Sequence, residues 1–257
     1  FWDWEQYKPR FSNSWDEYRN SIWHRVGYVN WGYEAIGRFD SWEQIANYPV
    51  DNDRKGNRTV VPGDIMYKDQ NNDGVINYLD ERPIGYRVDS TPTLNFGINL
   101  SASWKGFDLA MDWTGSGMTS WNQCYETARP FQNDGNSPDE VLKDAWHLSD
   151  IWDANSPLIP GKYPMVRLNT DETSAYDKSS YWLHNVTYLK LRNLEVGYTF
   201  PKTWLNRTGI SNLRLFVSGT NLLTLSNLSV MDPECASDNG LDYPPMRVIN
   251  IGVNLKF

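Results

Sequence analysis

Residues 249–257 alternate strictly between apolar side chains and side chains that are polar or small. The apolar positions are Ile249, Ile251, Val253, Leu255 and Phe257. A period of two places one set on each face of a β-strand. A strand of about ten residues with one apolar and one polar face is typical of an outer-membrane β-barrel. Because chain ends usually fray, a strand patterned to its last residue predicts a sheet that is sealed at this strand.

Four further stretches show the same alternation. From 93 to 104 the even positions are apolar and the odd positions are polar or small, and from 107 onwards this order reverses. Lys105 and Gly106 lie between the two stretches, and glycine supplies the positive φ of a tight hairpin turn. The predicted strands are 93–104, 106–117, 186–200, 211–222 and 246–257.

The stretch 186–200 contains a defect in its alternation. Lys190 and Arg192 are polar at even positions, whereas Leu194 and Val196 are apolar at even positions. The phase therefore reverses near Arg192 and Asn193. We expect a β-bulge to absorb the irregularity there.

The connections between these strands alternate in length. Short turns lie at one end, whereas 118–185 and 223–245 are long and rich in Asn, Asp, Ser, Gly and Pro. Outer-membrane barrels have short periplasmic turns and long extracellular loops. We therefore predict an all-β fold in which 92–257 supplies transmembrane barrel strands, with 118–185 and 223–245 as extracellular loops. Residues 1–91 are expected to lie mostly outside the cell as well.

This arrangement makes specific predictions about side-chain direction and chain completeness. The side chains expected to face lipid are Leu94, Leu109 and Ile251. The side chains expected to face the lumen are Asn95, Asp108 and Asn250. Since the smallest such barrels have about eight strands, five strands cannot close one. We expect the chain to be the C-terminal part of a longer protein.

Composition restricts the class of protein further. No run of 18 apolar residues occurs, which excludes a membrane-spanning helix. The net charge of −8 argues against a nucleic-acid partner, because such proteins carry a basic surface. A β-sandwich also has alternating strands. A soluble extracellular β-sandwich that binds glycans and is stabilised by calcium therefore remains an alternative. Several predicted polar faces carry Asn, Lys, Arg and Asp together, which favours a water-filled lumen.

Residues 69–80 match the spacing of a calcium-binding loop, with oxygen ligands at its positions 1, 3, 5 and 12 and a backbone carbonyl at position 7. Gly74 permits the sharp turn at position 6 and Ile76 anchors the loop at position 8. An aspartate replaces the usual glutamate at position 12, and no clear helices flank the loop. A turn rich in Asp and Asn that binds no metal is the alternative. The predicted ligands of a structural Ca²⁺ are Asp69, Asn71, Asp73, the carbonyl of Val75, and Asp80.

The first 48 residues are rich in aromatic side chains, which suit sugar-binding platforms, partner contacts or simple packing of a folded loop. No residue among them can be assigned to a ligand. They are Trp2, Trp4, Tyr7, Trp15, Tyr18, Trp23, Tyr28, Trp31, Tyr33, Trp42 and Tyr48.

The sequence offers little support for catalysis. The three histidines lie far apart and no nucleophile-elbow or phosphate-binding glycine motif occurs, so we expect no enzyme activity. A glycoside hydrolase fragment remains a hypothesis without a motif. Cys124 and Cys235 lie in polar segments, either as two thiols or as a disulfide between loops.

Several stretches together resemble the SusC/RagA-type TonB-dependent outer-membrane transporters, in the order of that family from about Gly37 onwards. They are GRFDSWEQI at 37–45, PGDIMYKD at 62–69, WKGFDL at 104–109, YP and RL within 163–168, YLKLRNL at 188–194, GYTFP at 197–201, NLLT at 221–224, DPE at 232–234, and the final strand. The first 36 residues match less clearly.

The resemblance implies a barrel of roughly 22 strands with a plugged lumen, in the outer membrane of a Gram-negative bacterium. It implies import coupled to TonB, with oligosaccharides as the expected cargo and peptides as the alternative. A SusD-like surface lipoprotein would cover the extracellular loops. We expect the plug and the TonB-contacting segment to lie in a preceding part of the chain.

Overall fold

A computed structural model of the chain describes residues 9–21, 29–86, 92–168, 172–206, 209–235, 239–240 and 242–257. These residues form mainly β-strands, with a few short helices. The strands are β1 Asn30–Gly32, β2 Ala35–Arg38, β3 Ile65–Tyr67, β4 Arg82–Gly85, β5 Leu94–Trp104, β6 Phe107–Asn122, β7 His147–Leu148, β8 Leu158–Ile159, β9 Leu183–Thr199, β10 Asn212–Ser226 and β11 Val248–Lys256. The helices are α1 Ser14–Asn20, α2 Trp42–Ala46, α3 Asp139–Lys143 and α4 Lys202–Leu205.

The chain divides into two compact units. The first, here called the loop unit, comprises Phe1–Val88, Ser120–His184 and Asp238–Gly240. The second, here called the sheet unit, comprises Asp89–Thr119, Asn185–Ser237 and Leu241–Phe257. Among the described residues, no helix has the length and apolar character to cross a membrane.

The sheet unit is built on one sheet of five strands in the order β11-β10-β9-β6-β5. β5 and β6 form the predicted hairpin, with Lys105 and Gly106 at its turn at φ 48° and 90°. β9, β10 and β11 follow as antiparallel neighbours. The five strands lie close to the five predicted stretches. β11 has β10 as its neighbour on one side, so the sealed sheet expected at this strand is not formed within the described residues.

β6 and β9 are longer than the alternation predicted. β6 continues to Asn122 and β9 begins at Leu183, so the connection between them is 123–182 rather than 118–185. β10 likewise extends to Ser226. The residues added to β6 carry polar side chains on both faces, so the period-two signal is lost there although the backbone pairing continues. In β10 the residues 223–226 again alternate between leucine and a polar side chain.

The predicted phase reversal in β9 is present. Two successive residues of β9 both turn to the polar side of β6: Arg192 Nε donates to Thr114 Oγ1 at 3.0 Å, and Asn193 Nδ2 donates to Asp112 Oδ2 at 3.1 Å. The irregularity in the pairing of β9 with β10 lies in β10, between Thr220 and Leu223. The extra residue of the bulge therefore lies in β10, opposite the part of β9 where the phase reversal was predicted.

The loop unit has a hydrophobic core that two distant parts of the sequence share. Tyr33, Ile65, Tyr67 and Ile76 from the first part pack with residues of the second, namely Ala128, Val141, Ala145, Tyr163, Ala175, Tyr176 and Trp182. Inside it, the buried Asn52 side chain donates to the carbonyl of Ile65 and accepts from the amide of Tyr67, both at 3.0 Å. The segments treated as separate loops in the sequence thus fold as one body.

Candidate functional site

The five-stranded sheet has two chemically different faces. The strand register places one set of apolar side chains on the same side of the sheet, here called the apolar face. These side chains are Leu94, Leu109, Val196, Leu215, Val217, Ile251 and Val253. On the other side, here called the polar face, lie Asn95, Asp108, Asp112, Glu195, Ser218 and Asn250. The residues expected to face lipid and those expected to face the lumen therefore lie on opposite faces.

Among the residues that the structure describes, the apolar face is exposed, with no second layer over it. Val196, Leu215 and Val217 belong to the inner strands β9 and β10, yet their exposed fractions are 44%, 43% and 47%. Side chains of this kind in a β-sandwich pack against the facing sheet and lose contact with solvent. Burying the part of each side chain that is still exposed would contribute about 1 kcal/mol. The exposed face is therefore suited to an apolar surrounding.

Aromatic side chains gather at the short-turn end of this sheet. The rings of Phe107 and Tyr198 lie 4.6 Å apart, those of Tyr198 and Phe200 5.0 Å, and those of Phe200 and Trp204 6.0 Å. Trp104 and Trp204 are 69% and 66% exposed. Amphipathic aromatic rings at one end of an exposed apolar band are typical of a membrane–water interface.

The polar face carries an ion pair that crosses a strand. Arg214 on β10 donates from Nε to Asp108 Oδ1 on β6 at 3.1 Å, and from Nη2 to Glu195 Oε1 on β9 at 2.5 Å. Between them lies Gly197 of β9, where an added Cβ would come within 2.5 Å of the Arg214 guanidinium. The absence of a side chain at Gly197 is therefore what lets the arginine reach the second strand over.

A second charged cluster holds the segment that follows β10. Lys190 of β9 is fully buried, and its Nζ donates to both carboxylate oxygens of Asp232 at 2.8 Å and to Glu234 Oε2 at 2.9 Å. Arg192 donates to the other oxygen of Glu234. Segment 227–235, here called the strap, is therefore fixed to β9, since buried charges are costly unless paired.

The start of the strap is fixed as well. Asn227 Oδ1 accepts from the amide of Thr187 at 2.9 Å, and its Nδ2 donates to the carbonyl of Asn185 at 2.7 Å. Sequence reasoning did not identify the roles of Lys190, Asp232 and Glu234. The available signal was the pair of cations that interrupted the apolar alternation of β9, because a buried cation requires an anionic partner.

The predicted calcium loop brings three of its carboxylates together. One oxygen each from Asp69, Asp73 and Asp80 lies within 4.8 Å of the others. Oxygens that share one Ca²⁺ at 2.3–2.6 Å can be separated by up to about 5 Å. The carboxylates also accept hydrogen bonds from the loop's own amides, for example Gly74 to Asp69 Oδ2 at 2.8 Å. A carboxylate oxygen has more than one lone pair, so the donor set fits a hard cation.

Two further predicted ligands lie in the same loop. Asn71 Nδ2 donates to Asp73 Oδ2 at 2.8 Å, which places the amide beside that carboxylate. Val75 pairs with Asp51 across an isolated β-bridge. Ile76 is fully buried and anchors the loop in the core of the loop unit, as predicted for position 8.

The aromatic residues near the start of the chain mostly pack within the loop unit. Trp31 and Tyr33 are buried, and Tyr48 lies against Phe39 with ring centroids 5.0 Å apart. Trp42 remains 56% exposed. Those that lie outside the described residues are Trp2, Trp4, Tyr7, Trp23 and Tyr28.

Trp15 and Tyr18 form one cluster with Trp31 and two arginines. The rings of Tyr18 and Trp31 lie 5.1 Å apart, and Arg19 lies over the Trp31 ring at 4.4 Å. Arg82 lies over the ring of Trp15 at 5.2 Å. The cluster joins helix α1 to strands β1 and β4. These aromatic residues therefore pack within a folded loop, which was one of the three interpretations of the sequence.

The two cysteines are not joined by a disulfide. Burial raises the pKa of the Cys235 thiol, and the nearby Asp232 carboxylate raises it further. A thiol with a raised pKa is less reactive, because the thiolate is the nucleophile.

Comparison with known proteins identifies similar chains. No family model matches the chain. TonB-dependent receptor P3 of Formosa agariphila is 30% identical over 87% of this chain and 22% of its own length. TonB-dependent receptor SusC of Bacteroides thetaiotaomicron is 24% identical over 91% of this chain and 20% of its own length. The chain therefore spans about a fifth of the length of these curated relatives.

Solved structures show the same fold. The RagAB peptide importer in its closed-closed state matches with a TM-score of 0.58 at 21% identity, over 91% of this chain and 24% of that chain. The same transporter in another structure matches with a TM-score of 0.57. The comparisons confirm the resemblance to SusC/RagA-type TonB-dependent transporters.

Replacing Gly197 with alanine should destabilise the sheet unit, because the added methyl group displaces the guanidinium of Arg214. The displaced atoms are the ends of flexible, solvent-exposed side chains, so we expect a small fall in the midpoint of unfolding, as for the loss of a surface ion pair. Thermal unfolding of the purified full-length protein, followed by its electrophoretic mobility, measures the effect. The control is Gly97→Ala on the same face, where an added Cβ would make an ordinary contact of 3.6 Å. Equal midpoints for both variants would contradict the crossing role of Arg214.

Replacing Lys190 with methionine should release the strap, since Asp232 and Glu234 would then repel each other without their shared cation. Removing one partner of a buried ion pair costs about 3–5 kcal/mol. In a protein carrying Cys124→Ser, the rate at which a maleimide reagent labels Cys235 reports the release. We expect faster labelling in Lys190→Met and an unchanged rate in Lys202→Met, where the replaced lysine is exposed. Loss of the Lys190 charge by itself raises the pKa of Cys235, so labelling is compared at a pH high enough to ionise the thiol in each variant. Slow labelling in both variants under this condition would show that the strap does not depend on Lys190.

Proposed function

We propose that the chain is the C-terminal barrel segment of a TonB-dependent outer-membrane importer. The observation that carries this proposal is the exposed apolar face on inner strands, opposite a polar face filled with ion pairs. A lipid environment satisfies the first face and a water-filled lumen the second. A soluble β-sandwich would require a second layer over Val196, Leu215 and Val217, which are half exposed.

The similarity to TonB-dependent receptors and to the RagAB fold supports the same proposal. In the complete protein, further strands preceding β5 would close a barrel of roughly 22 strands around a plug. Segment 123–182 and the residues between β10 and β11 would then lie outside the cell, and the aromatic rings at the short turns would lie at the periplasmic interface. A SusD-like surface lipoprotein would work with the transporter, as would TonB at the periplasmic side.

Oligosaccharides are the cargo that we propose, with peptides as the second candidate. Exposed aromatic rings such as Trp42 and Tyr78, which are 56% and 65% exposed, suit stacking on sugar rings. The RagAB relative is by its description a peptide importer, and that similarity favours peptides. Uptake of fluorescent oligosaccharides and of fluorescent peptides by cells with and without TonB separates the two. TonB-dependent uptake of peptides and not of oligosaccharides would make peptides the cargo and would contradict our proposal of oligosaccharides.

We further propose that residues 69–80 bind a structural Ca²⁺. Asp69, Asp73 and Asp80 would supply carboxylate oxygens, Asn71 its amide oxygen and Val75 its carbonyl. The cation would offset the repulsion between carboxylates that lie within 4.8 Å of one another. Its role would be to hold the loop against the core of the loop unit, with no part in catalysis.

Cysteine labelling of the full-length transporter in intact outer membranes tests the membrane arrangement. Native cysteines are first replaced with serine. A membrane-partitioning maleimide should label Leu94→Cys, Leu109→Cys and Ile251→Cys, because these side chains contact lipid. A charged maleimide should label Asn95→Cys, Asp108→Cys and Asn250→Cys instead. Labelling of the first set by the charged reagent would contradict the barrel, and failure of both reagents on that set would favour a sandwich.

Radioactive ⁴⁵Ca²⁺ retained by the purified full-length protein tests the metal proposal. Asp73→Asn should retain one equivalent less than the wild type, because the amide lacks the negative charge that the cation requires. Asp134→Asn, an exposed aspartate of the same unit, is the matched control. Equal retention in the wild type and in Asp73→Asn would leave residues 69–80 as a turn without metal.

A further inference from the structure

A pocket of about 460 Å³ lies on the polar face of the sheet unit, beside the strap. Strands β5, β6 and β9 and the strap all contribute to its wall, and it is here called the strap pocket. Pockets for small ligands typically have about 300–1,000 Å³, so the strap pocket can hold one small molecule or one unit of a polymer. The residues that line it include Asn95, Gly97, Thr114, Tyr188, Arg192 and Glu234.

The floor of the strap pocket is open because Gly97 has no side chain. Gly97 pairs with Thr114 of β6, and an added Cβ would meet one atom within 4 Å, the carbonyl oxygen of Trp113 at 3.6 Å. Its φ lies outside the positive region, so the backbone itself does not require glycine here. Glycine inside a strand often marks a site where a ligand approaches the backbone closely. The space above Gly97 is therefore a feature of the pocket.

Arg192 is held at the strap pocket by three different segments. Its Nε donates to Thr114 Oγ1 at 3.0 Å, and its Nη1 donates to Asn221 Oδ1 at 3.2 Å. Its Nη2 donates to Glu234 Oε1. Asn221 lies in the irregular part of β10 and Glu234 lies in the strap, so both irregular features fix the guanidinium at one place. A polar group that is already fixed loses little conformational entropy when a ligand binds.

The pocket retains both donors and acceptors for a ligand. The three contacts of Arg192 do not use all the N–H groups of a guanidinium. Thr114 Oγ1 accepts from Arg192, so its own hydroxyl hydrogen is left to donate. Asn95 Nδ2 donates one hydrogen to the carbonyl of Pro92 at 3.0 Å and has a second. The carboxylate oxygens of Glu234 have further lone pairs. Hydroxyl groups, which both donate and accept, match this mixture.

The charges at the strap pocket are balanced before any ligand binds. Arg192 and Glu234 are the charged residues among those that line it, and they pair with each other. The neighbouring Lys190 is shared between Asp232 and Glu234, so two cations face two anions. A charged ligand would lose its hydration there without gaining a free counter-charge. The charge balance therefore favours a neutral polar ligand over an acidic sugar, a phosphate or a basic side chain.

Tyr188 adds a flat apolar surface to these polar groups. Its side chain is half-buried, and its hydroxyl lies beside the carboxylate of Glu234, which fixes the position of the ring. An aromatic ring of this kind presents a large apolar face. A sugar residue combines an apolar C–H face with hydroxyl groups around one ring. That is the combination that Tyr188, Thr114 and Arg192 can bind within one pocket.

We propose that the strap pocket is a subsite for one uncharged sugar residue of the oligosaccharide cargo. This inference rests on the proposed function, which turns the polar face towards the water-filled lumen through which the cargo passes. Tyr188 stacks on the sugar ring. Arg192 and Thr114 donate to hydroxyl oxygens, and Glu234 accepts from a hydroxyl group.

Binding of arrayed glycans to the purified full-length transporter tests the assignment. The array carries neutral oligosaccharides of glucose, mannose, galactose, xylose and fructose, together with acidic oligogalacturonates and unmodified peptides. We expect the wild type to bind at least one neutral oligosaccharide. Gly97→Leu should weaken that binding about tenfold or more, because the leucine side chain occupies the pocket and several hydrogen bonds are lost. Tyr188→Leu should weaken it as well, since the flat ring is removed.

The matched control is Ser101→Leu, which should bind like the wild type. Ser101 is exposed and lies on β5, on the same face as Gly97 but outside the pocket. A thermal unfolding midpoint equal to that of the control shows that Gly97→Leu folds. If Gly97→Leu does not fold, Tyr188→Leu decides: weakened binding supports the subsite and unchanged binding contradicts it.

Unchanged affinity in folded Gly97→Leu would overturn the assignment. So would preferential binding of oligogalacturonates or of peptides by the wild type, or no binding of any neutral oligosaccharide. A lower unfolding midpoint in Gly97→Leu than in Ser101→Leu, with binding unchanged, would also overturn it, because another part of the full-length protein would then fill the pocket.

Uptake by cells separates failure of the subsite from failure of the proposed function. TonB-dependent uptake of a neutral oligosaccharide by wild-type cells, with unchanged affinity in Gly97→Leu, would remove the subsite and leave the transport proposal intact. Absence of TonB-dependent uptake in the wild type would instead contradict the transport proposal itself.

Discussion

The register of antiparallel pairing between β5 and β6 and between β9, β10 and β11 is the constraint on which the rest of the structure depends. Because alternate side chains leave a strand on opposite sides, a shift of one residue in any pair would send apolar side chains to the wrong face. The pairing of Val196 with Val217 and of Val217 with Ile251 shows this register. It separates the lipid-compatible face from the charged face over the whole sheet.

The strands could be predicted from the sequence because their pattern is local. Alternation along 93–104 and 249–257 sets the strand type and the face of each side chain, and the turn at Lys105 and Gly106 sets the hairpin partner of the first of these strands. None of this requires knowledge of distant residues. Prediction failed where the outcome depends on contacts far apart in sequence. The loop unit joins Ile65 and Trp182 in one core, and no periodicity in either segment indicates the other.

At the candidate sites too, prediction succeeded for residues close together in sequence and failed for partners far apart in sequence. Asp69, Asp73 and Asp80 follow a fixed spacing within twelve residues, so their convergence could be predicted. Lys190 was noticed as an interruption of the strand, but its partner Asp232 lies 42 residues away. A buried cation indicates that a partner exists without indicating where it is. The contact that Arg214 makes by passing over Gly197 could likewise be predicted only if the order of the strands in the sheet were known.

The bulge in β10 has a geometric consequence as well as a chemical one. An inserted residue makes a strand bend and increases its local twist, and bulges of this kind are one source of curvature in a β-sheet. Asn221, at φ 52°, accepts from Arg192 through its side-chain oxygen at 3.2 Å, at the level where β9 turns two successive side chains to the polar face. One additional residue therefore provides both curvature and a higher density of polar groups at one level of the sheet.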